Sequence, residues 1–191
     1  MGELLYHIHK KGFYDNLWKE GNELVIGNQN NAFIALALNF KSTIVVDNII
    51  YSFWDAYNNF LNNWDIDTKM RLLNDANNYI NEYQILIREL GMEKVRKNHF
   101  EKLPSRYKCI WLCRKNQIDY WRNILNEETE IYEVETFNQP FKTRNSLIPS
   151  KIDSYNDILE KSFKYWGENS LEENEDDEYL YVGKIKINKK I

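Results

Sequence analysis

Residues 177–187 read DEYLYVGKIKI, and they carry the clearest strand signal in the chain. Tyr179, Tyr181, Gly183, Ile185 and Ile187 fall on one face, and Leu180, Val182, Lys184 and Lys186 on the other. That is the period of two expected of a half-buried strand. The same period runs through LLYHIHK at residues 4–10. There Leu4, Tyr6 and Ile8 form the face expected to meet the core, and Leu5, His7 and His9 form the other, so alternation sets both imidazoles away from the core-directed side. A turn at Glu20-Gly21-Asn22 leads into a short strand from Glu23 to Ile26, and an Asn-rich loop follows.

Helical periodicity fills the middle. From Ser52 to Trp64, Phe53, Trp54, Tyr57, Phe60, Leu61 and Trp64 recur every three or four positions. After a cap at Asp67 the period continues through Met70, Leu73, Ala76, Ile80, Tyr83, Leu86, Ile87 and Leu90, and Gly91 is expected to close that helix. MEKVRKNHF then supplies one more helical piece, before Pro104 returns the chain to an extended conformation. Tyr107–Cys113 reads as a buried strand, and the next helix places Ile118, Trp121, Ile124 and Leu125 on one side. EIYEVETF alternates imperfectly, as a strand near a sheet edge does. Ser154, with Asp157 at the third position, caps a helix that carries Tyr155, Ile158, Leu159, Phe163 and Trp166 inward and ends at Gly167. Strands at both ends with helices between them predict an α+β fold whose terminal strands meet in one sheet. No linker divides the chain, so residues 1–191 read as one domain, with a helical segment at 52–99 inserted after the first strands.

Composition narrows the function classes. Hydrophobic residues at 43% and aromatics at 15% supply a core large enough to fold without disulfides or metals. Six Trp and thirteen Tyr also suit a site that stacks a flat ligand. The formal charge of −4 arises from interspersed acids and bases, so no global positive field draws the protein to nucleic acid. Neither a membrane-spanning run nor a signal-peptide pattern is evident, and a cytoplasmic location is expected. Cys109 and Cys113 would point the same way along a strand, which is poor disulfide geometry, and they read as free buried thiols in a reducing compartment. Their spacing does not suit a zinc site, and no metal is expected.

P-loop, GxGxxG, GxSxG and HExxH motifs are all missing, which removes the common enzyme classes they mark. The acidic run 172–178 reads as a solvated loop. Glu178 stands apart, as the last acid before the apolar strand, where a carboxylate is held by the ladder yet open to a cleft. Ser105 and Arg106 precede the central strand, and the arginine fork there suits either a phosphate or a surface acid.

Taken together, LYHIHKKGFYDNLWKEGNEL, LPSRYKCIWLC and DEYLYVGKIKI resemble an uncharacterised bacterial domain family that looks like a divergent branch of the ADP-ribosyltransferase fold. The resemblance covers most of the chain and implies a twisted, split β-sheet. In that fold a His or Arg on the first strand, aromatic or hydroxyl residues around the second, and a Glu at the start of a late strand surround NAD, which is consumed as a substrate. The resemblance makes Glu178 the catalytic carboxylate and His7 the contact to the adenosine ribose, with His9 as second choice. Arg106 or Lys10, with Ser105 alongside, would approach the pyrophosphate, and Trp111 or Tyr120 would pack on the nicotinamide. A carboxylate beside the oxocarbenium-like state of nicotinamide–ribose cleavage stabilises it more than the ground state.

The chain departs from the fold's best-known motifs. Ile8 and His9 stand where Gly and Thr would be, no Ser-Thr-Ser marks the second strand, and Asp176 is a short substitute for the second acid of arginine-modifying toxins. These departures speak against protein-arginine modification and leave transfer to an unknown acceptor, nucleic acid or another protein side chain, or simple NAD hydrolysis, in a toxin or phage-conflict setting. Two other readings stand beside this one: a non-catalytic nucleotide- or protein-binding or inhibitor module of the same fold, and an interaction module built on segment 52–99.

Overall fold

The computed structural model describes residues 3–12, 14–46, 48–60, 65–125, 128–168 and 172–191. Strand β1 (Glu3–Lys10) pairs antiparallel with β6 (Thr129–Thr136), β6 with β9 (Gly183–Lys190), and β9 with β2 (Glu23–Ile26). A second antiparallel sheet runs β5 (Ile110–Leu112), β8 (Asp177–Tyr181), β7 (Phe141–Arg144). A single bridge joins the two sheets: Tyr6 faces Cys113, with amide-to-carbonyl hydrogen bonds of 2.9 Å in each direction. Seven strands thus lie side by side in the order β2-β9-β6-β1-β5-β8-β7, split between β1 and β5.

The stretch 177–187 is therefore two strands rather than one. The ladder breaks at Val182, and Gly183 takes φ +138°, a backbone conformation that L side chains rarely adopt, as the chain passes from one sheet to the other. Alternation survives the crossing because Tyr179, Tyr181, Ile185 and Ile187 all enter one core cluster, with Leu5, Trp18, Leu112, Tyr132 and Val134. The terminal strands share the first sheet, with β6 between them. Residues 130–137, expected near an edge, therefore form an interior strand. Its irregular alternation coincides with a register shift at Glu133/Val134 against β9.

Helix α3 (Ile66–His99) runs unbroken through Gly91. A Cβ at Gly91 would lie 2.6 Å from Ile158 Cγ2 on α5 (Tyr155–Gly167), so the glycine permits close helix packing instead of ending the helix. Beneath the contact lies a second core cluster of Met92, Val95, Cys109, Tyr165, Trp166 and Leu180. The apolar row that the helical period picks out on α3 faces outward over much of its length: Met70, Leu73, Ile80, Tyr83, Ile87 and Leu90 are between 43% and 62% exposed. On α5 the Ser154–Asp157 capping box forms as expected, but the buried stripe is Ile158, Ser162, Tyr165 and Trp166, and Tyr155 and Phe163 stay exposed.

Four elements have no counterpart in the sequence reading: α1 (Ala32–Asn39), the hairpin β3 (Thr43–Val46)–β4 (Ile49–Ser52), and β7. The 52–64 helix is seen as α2 (Phe53–Phe60); Leu61 and Trp64 lie outside the described residues. Tyr107–Cys113 contracts to β5, because the Lys108 and Cys109 amides turn back onto the Ser105 carbonyl. The helix expected after it is α4 (Ile118–Leu125). Among the described residues, no helix is long and apolar enough to cross a membrane.

Candidate functional site

The inner face of the C-terminal half of α3 carries Glu89, Glu93 and Arg96 beside Met92 and Val95, all buried. Buried charges persist only when paired and hydrogen-bonded. Arg96 grips Glu93 with two bonds of 2.9 Å, Nε to Oε2 and Nη2 to Oε1, and the Ser105 hydroxyl donates to the same Oε2 at 3.0 Å. Ser105 is thus engaged on the helix side of the turn that precedes β5.

Arg106, next along that turn, is 5% exposed. Asn31 holds the turn: its amide donates to the Tyr107 carbonyl at 2.7 Å, and its side chain donates to the Arg106 and Cys109 carbonyls at 2.7 and 3.1 Å. The same side chain caps α1 by accepting from the Ile34 amide. Fixed in this way, the Arg106 fork reaches three groups. Nε donates to Glu89 Oε2 at 3.0 Å, and Nη1 donates to Glu178 Oε1 at 2.9 Å and to the Tyr165 hydroxyl oxygen at 2.5 Å. The Tyr165 hydroxyl in turn donates to Glu178 Oε1. The guanidinium also lies 5.4 Å from the Trp111 ring centre and 5.2 Å from that of Tyr165.

Glu178 is therefore not an open-cleft acid; it is 3% exposed. Burial raises its pKa against the opposing pull of Arg106 and Tyr165. Burial acts the same way on Glu89, but there Arg106 and Arg88 prevail and hold the carboxyl below its ordinary value. Burial also works against the charge on Arg106, and Glu89, Tyr165 and Glu178 outweigh it. The Glu178 carboxylate is gripped by one oxygen only. No described residue donates to Oε2, and that atom is not one of the sealed, hydrogen-bond-free oxygens such as Tyr107 Oη and Asp177 Oδ1, so it keeps the residual contact with solvent.

The histidines take the opposite orientation from the one alternation predicted. Leu5, His7 and His9 form the inward face of β1: Leu5 is fully buried, His9 is 5% exposed, and Leu4 is 49% exposed. The His7 ring stacks on Trp18 at 4.2 Å and 19°, and its Nδ1 lies 3.0 Å from the Trp111 carbonyl, the placement of an N–H donor on a neutral ring. Burial lowers its pKa to about 4. His9 Nε2 pairs with Asp15 Oδ1 at 2.7 Å, and that bond is the main cause of the lowered Asp15 pKa. Both imidazoles are thus core-facing groups with partners.

The structure gathers Ser105, Arg106, Trp111 and Glu178 on the side of the second sheet that meets α3 and α5. His7 belongs to the other side, with Leu5 and Tyr179, and touches the group only through the Trp111 carbonyl. Lys10 lies exposed at the end of β1, opposite Thr129. Tyr120 is half-buried, edge-on to Trp121, whose indole donates to the Asp177 carbonyl at 3.1 Å and so fastens α4 to the start of β8. Glu89, Tyr165 and Asn31 are the members that sequence reasoning missed. A signal existed for Glu89, because charges at 89, 93 and 96 share one helical face. Tyr165 and Asn31 offered none. Among the described residues, no three metal-ligating side chains converge.

Fold and site together define an α+β protein whose described residues form two larger antiparallel sheets and the β3–β4 hairpin, with a buried charge network where the second sheet meets its helices. The family model described as "Protein of unknown function (DUF2441)" matches residues 5–191, and the chain belongs to that family. No curated protein matches it.

Proposed function

We propose that the protein is an ADP-ribosyltransferase-like, NAD-consuming protein in which Glu178 is the carboxylate beside the ribose. One observation carries this reading. The three segments nominated for NAD, around residues 7, 106–111 and 178, lie far apart in sequence and fall on β1, on β5 with the turn before it, and on β8, which are neighbours in space, with His7 on the opposite side of the sheet from Arg106 and Glu178. The late-strand glutamate stands at the start of β8, with one oxygen anchored and the other unclaimed. Such a carboxylate can accept a ribose hydroxyl and stabilise positive charge as the nicotinamide leaves.

The geometry redistributes the other roles. Arg106 is committed to Glu89 and Glu178, so in this reading it serves the carboxylate instead of the pyrophosphate. His7 braces β5 through the Trp111 carbonyl. The acceptor is a macromolecule, protein or nucleic acid, and a role as a toxin or in phage conflict fits that chemistry. The near-complete burial of Glu178 favours a second reading, in which the chain binds a nucleotide without cleaving it.

Incubation with NAD labelled on the nicotinamide and on the adenylate, with and without cell lysate, tests the proposal. Nicotinamide release that Glu178→Gln abolishes is the expected result. Binding of intact NAD without release supports the second reading, and turnover untouched by Glu178→Gln overturns the first.

A further inference from the structure

Resting on that reading of Glu178, we propose that Tyr165 is a positioning residue for its carboxylate: with Arg106, itself braced by Glu89, it fixes Oε1 so that Oε2 is the oxygen presented to the ribose. Each partner comes from a different element. Glu89 lies on α3, Arg106 on the turn before β5, Tyr165 on α5, and Glu178 on β8. Packing alone would not aim two donors at one oxygen and leave the other without any. A carboxylate accepts at both oxygens, and a purely structural buried pair gains most when both are satisfied. The Tyr165 ring is held edge-on to Trp166 at 4.8 Å, and its main-chain carbonyl accepts from the Thr143 hydroxyl at 2.9 Å, so its phenol has a fixed direction. Glu89 completes the set: it takes the Arg106 Nε at 3.0 Å while Arg88 covers its second oxygen at 2.9 Å, which fixes the roll of the Arg106 fork.

The titratable and charged groups around the Glu178 carboxylate are Arg106, Tyr165, Glu89 and the Cys109 thiol. Of these, the Tyr165 hydroxyl bonds the charged form directly and favours it, so its loss should make Glu178 easier to protonate. Tyr165→Phe deletes that one oxygen and preserves the ring.

Two measurements on the full chain separate this inference from the reading it rests on. In the first, the Glu178 side-chain carboxyl is titrated by carbon NMR in wild type and Tyr165→Phe, with Glu178→Gln assigning the resonance. The midpoint should move to higher pH, whether or not the protein cleaves NAD. In the second, nicotinamide release is followed against pH. The acid limb of kcat should move upward with the titration, and kcat should fall on the order of tenfold with KM little changed. A merely structural Tyr165 would lower the melting temperature and scale the whole profile without moving its acid limb. An unmoved carboxyl midpoint in folded Tyr165→Phe overturns the positioning role. A moved midpoint in a protein that never releases nicotinamide upholds the geometry and removes the catalytic reading beneath it.

Discussion

Acidification should destabilise the fold through His7 before it protonates most carboxylates. The ring is stacked on Trp18 and gives its Nδ1 proton to the Trp111 carbonyl, and burial lowers its pKa from 6.5 to about 4. The folded state therefore resists a proton that the unfolded chain accepts. For a base with a depressed pKa, stability is fully present above the unfolded value and is lost as pH falls from about 6.5 toward about 4. At about pH 5 the unfolded imidazole is almost wholly charged and the folded one about one-tenth charged, which is worth about 2 kcal/mol relative to neutral pH. His7→Phe keeps a ring against Trp18 and removes the titration. Urea unfolding of both proteins at about pH 7 and about pH 5 isolates the effect as a difference of differences, in which the baseline cost of the substitution cancels. Wild type should lose about 2 kcal/mol more than His7→Phe across that interval. Equal losses, within about 0.5 kcal/mol, would refute the claim that His7 is held neutral by its burial against Trp18 and β5.

Gly91→Ala places a methyl 2.6 Å from Ile158 Cγ2 and should cost about 1–3 kcal/mol by thermal or urea unfolding, with most of the loss recovered in an Ile158→Ala background where the clash is gone. Arg106→Met removes the shared cation of Glu89 and Glu178 and should cost about 3–5 kcal/mol near neutral pH; that penalty should shrink under acid conditions, where the abandoned carboxyls protonate.

Strands were legible in the sequence where one face is buried and the other wet. β2 and the 183–187 part of the C-terminal run show that pattern, whereas residues 177–181 are buried on both faces, and the short β2 was placed at its observed bounds. The same logic failed on orientation, because both faces of β1 are enclosed over part of its length. Tyr6 is 6% exposed on one face and Leu5 and His9 are buried on the other, so alternation marks a strand without saying which side meets the main core. On α3 the periodic signal was real, but the row it picks out is not the face buried against the rest of the fold. The apolar row Met70–Leu90 lies outward, and the face that packs on α5 and β8 holds Glu89, Glu93 and Arg96. A hydrophobicity pattern cannot find a buried surface whose charges are neutralised by residues elsewhere in the chain. Arg106 is 17 positions beyond Glu89, and Glu178 is 72 beyond Arg106. The crossing between sheets at Gly183 was hidden for a different reason. Both strands feed the same core cluster, so the alternation has no phase break at the crossing.

The acids at the start of β8 show what register adds to composition. Asp176, Asp177 and Glu178 end an acidic run that reads as a solvated loop, yet Asp177 is fully buried and Glu178 nearly so. Consecutive strand residues point to opposite faces, so the two adjacent carboxyls enter different surroundings. Asp177 meets Lys142 at 2.9 Å and accepts from the Asn174 amide at 3.0 Å, whereas Glu178 meets Arg106 and Tyr165. A slip of one residue would exchange them, pushing a short aspartate toward a guanidinium it is too short to reach and a long glutamate into the tighter Lys142 side. Each burial is affordable only with its own cation, so the pairings β7–β8 and β5–β8 and the two ion pairs specify the same register. A side chain of glutamate length at 178, with an acceptor oxygen for Arg106 and Tyr165, therefore suits the fold itself. The single unclaimed oxygen, Oε2, is what the fold does not require, and it is there that a role beyond stability should be sought.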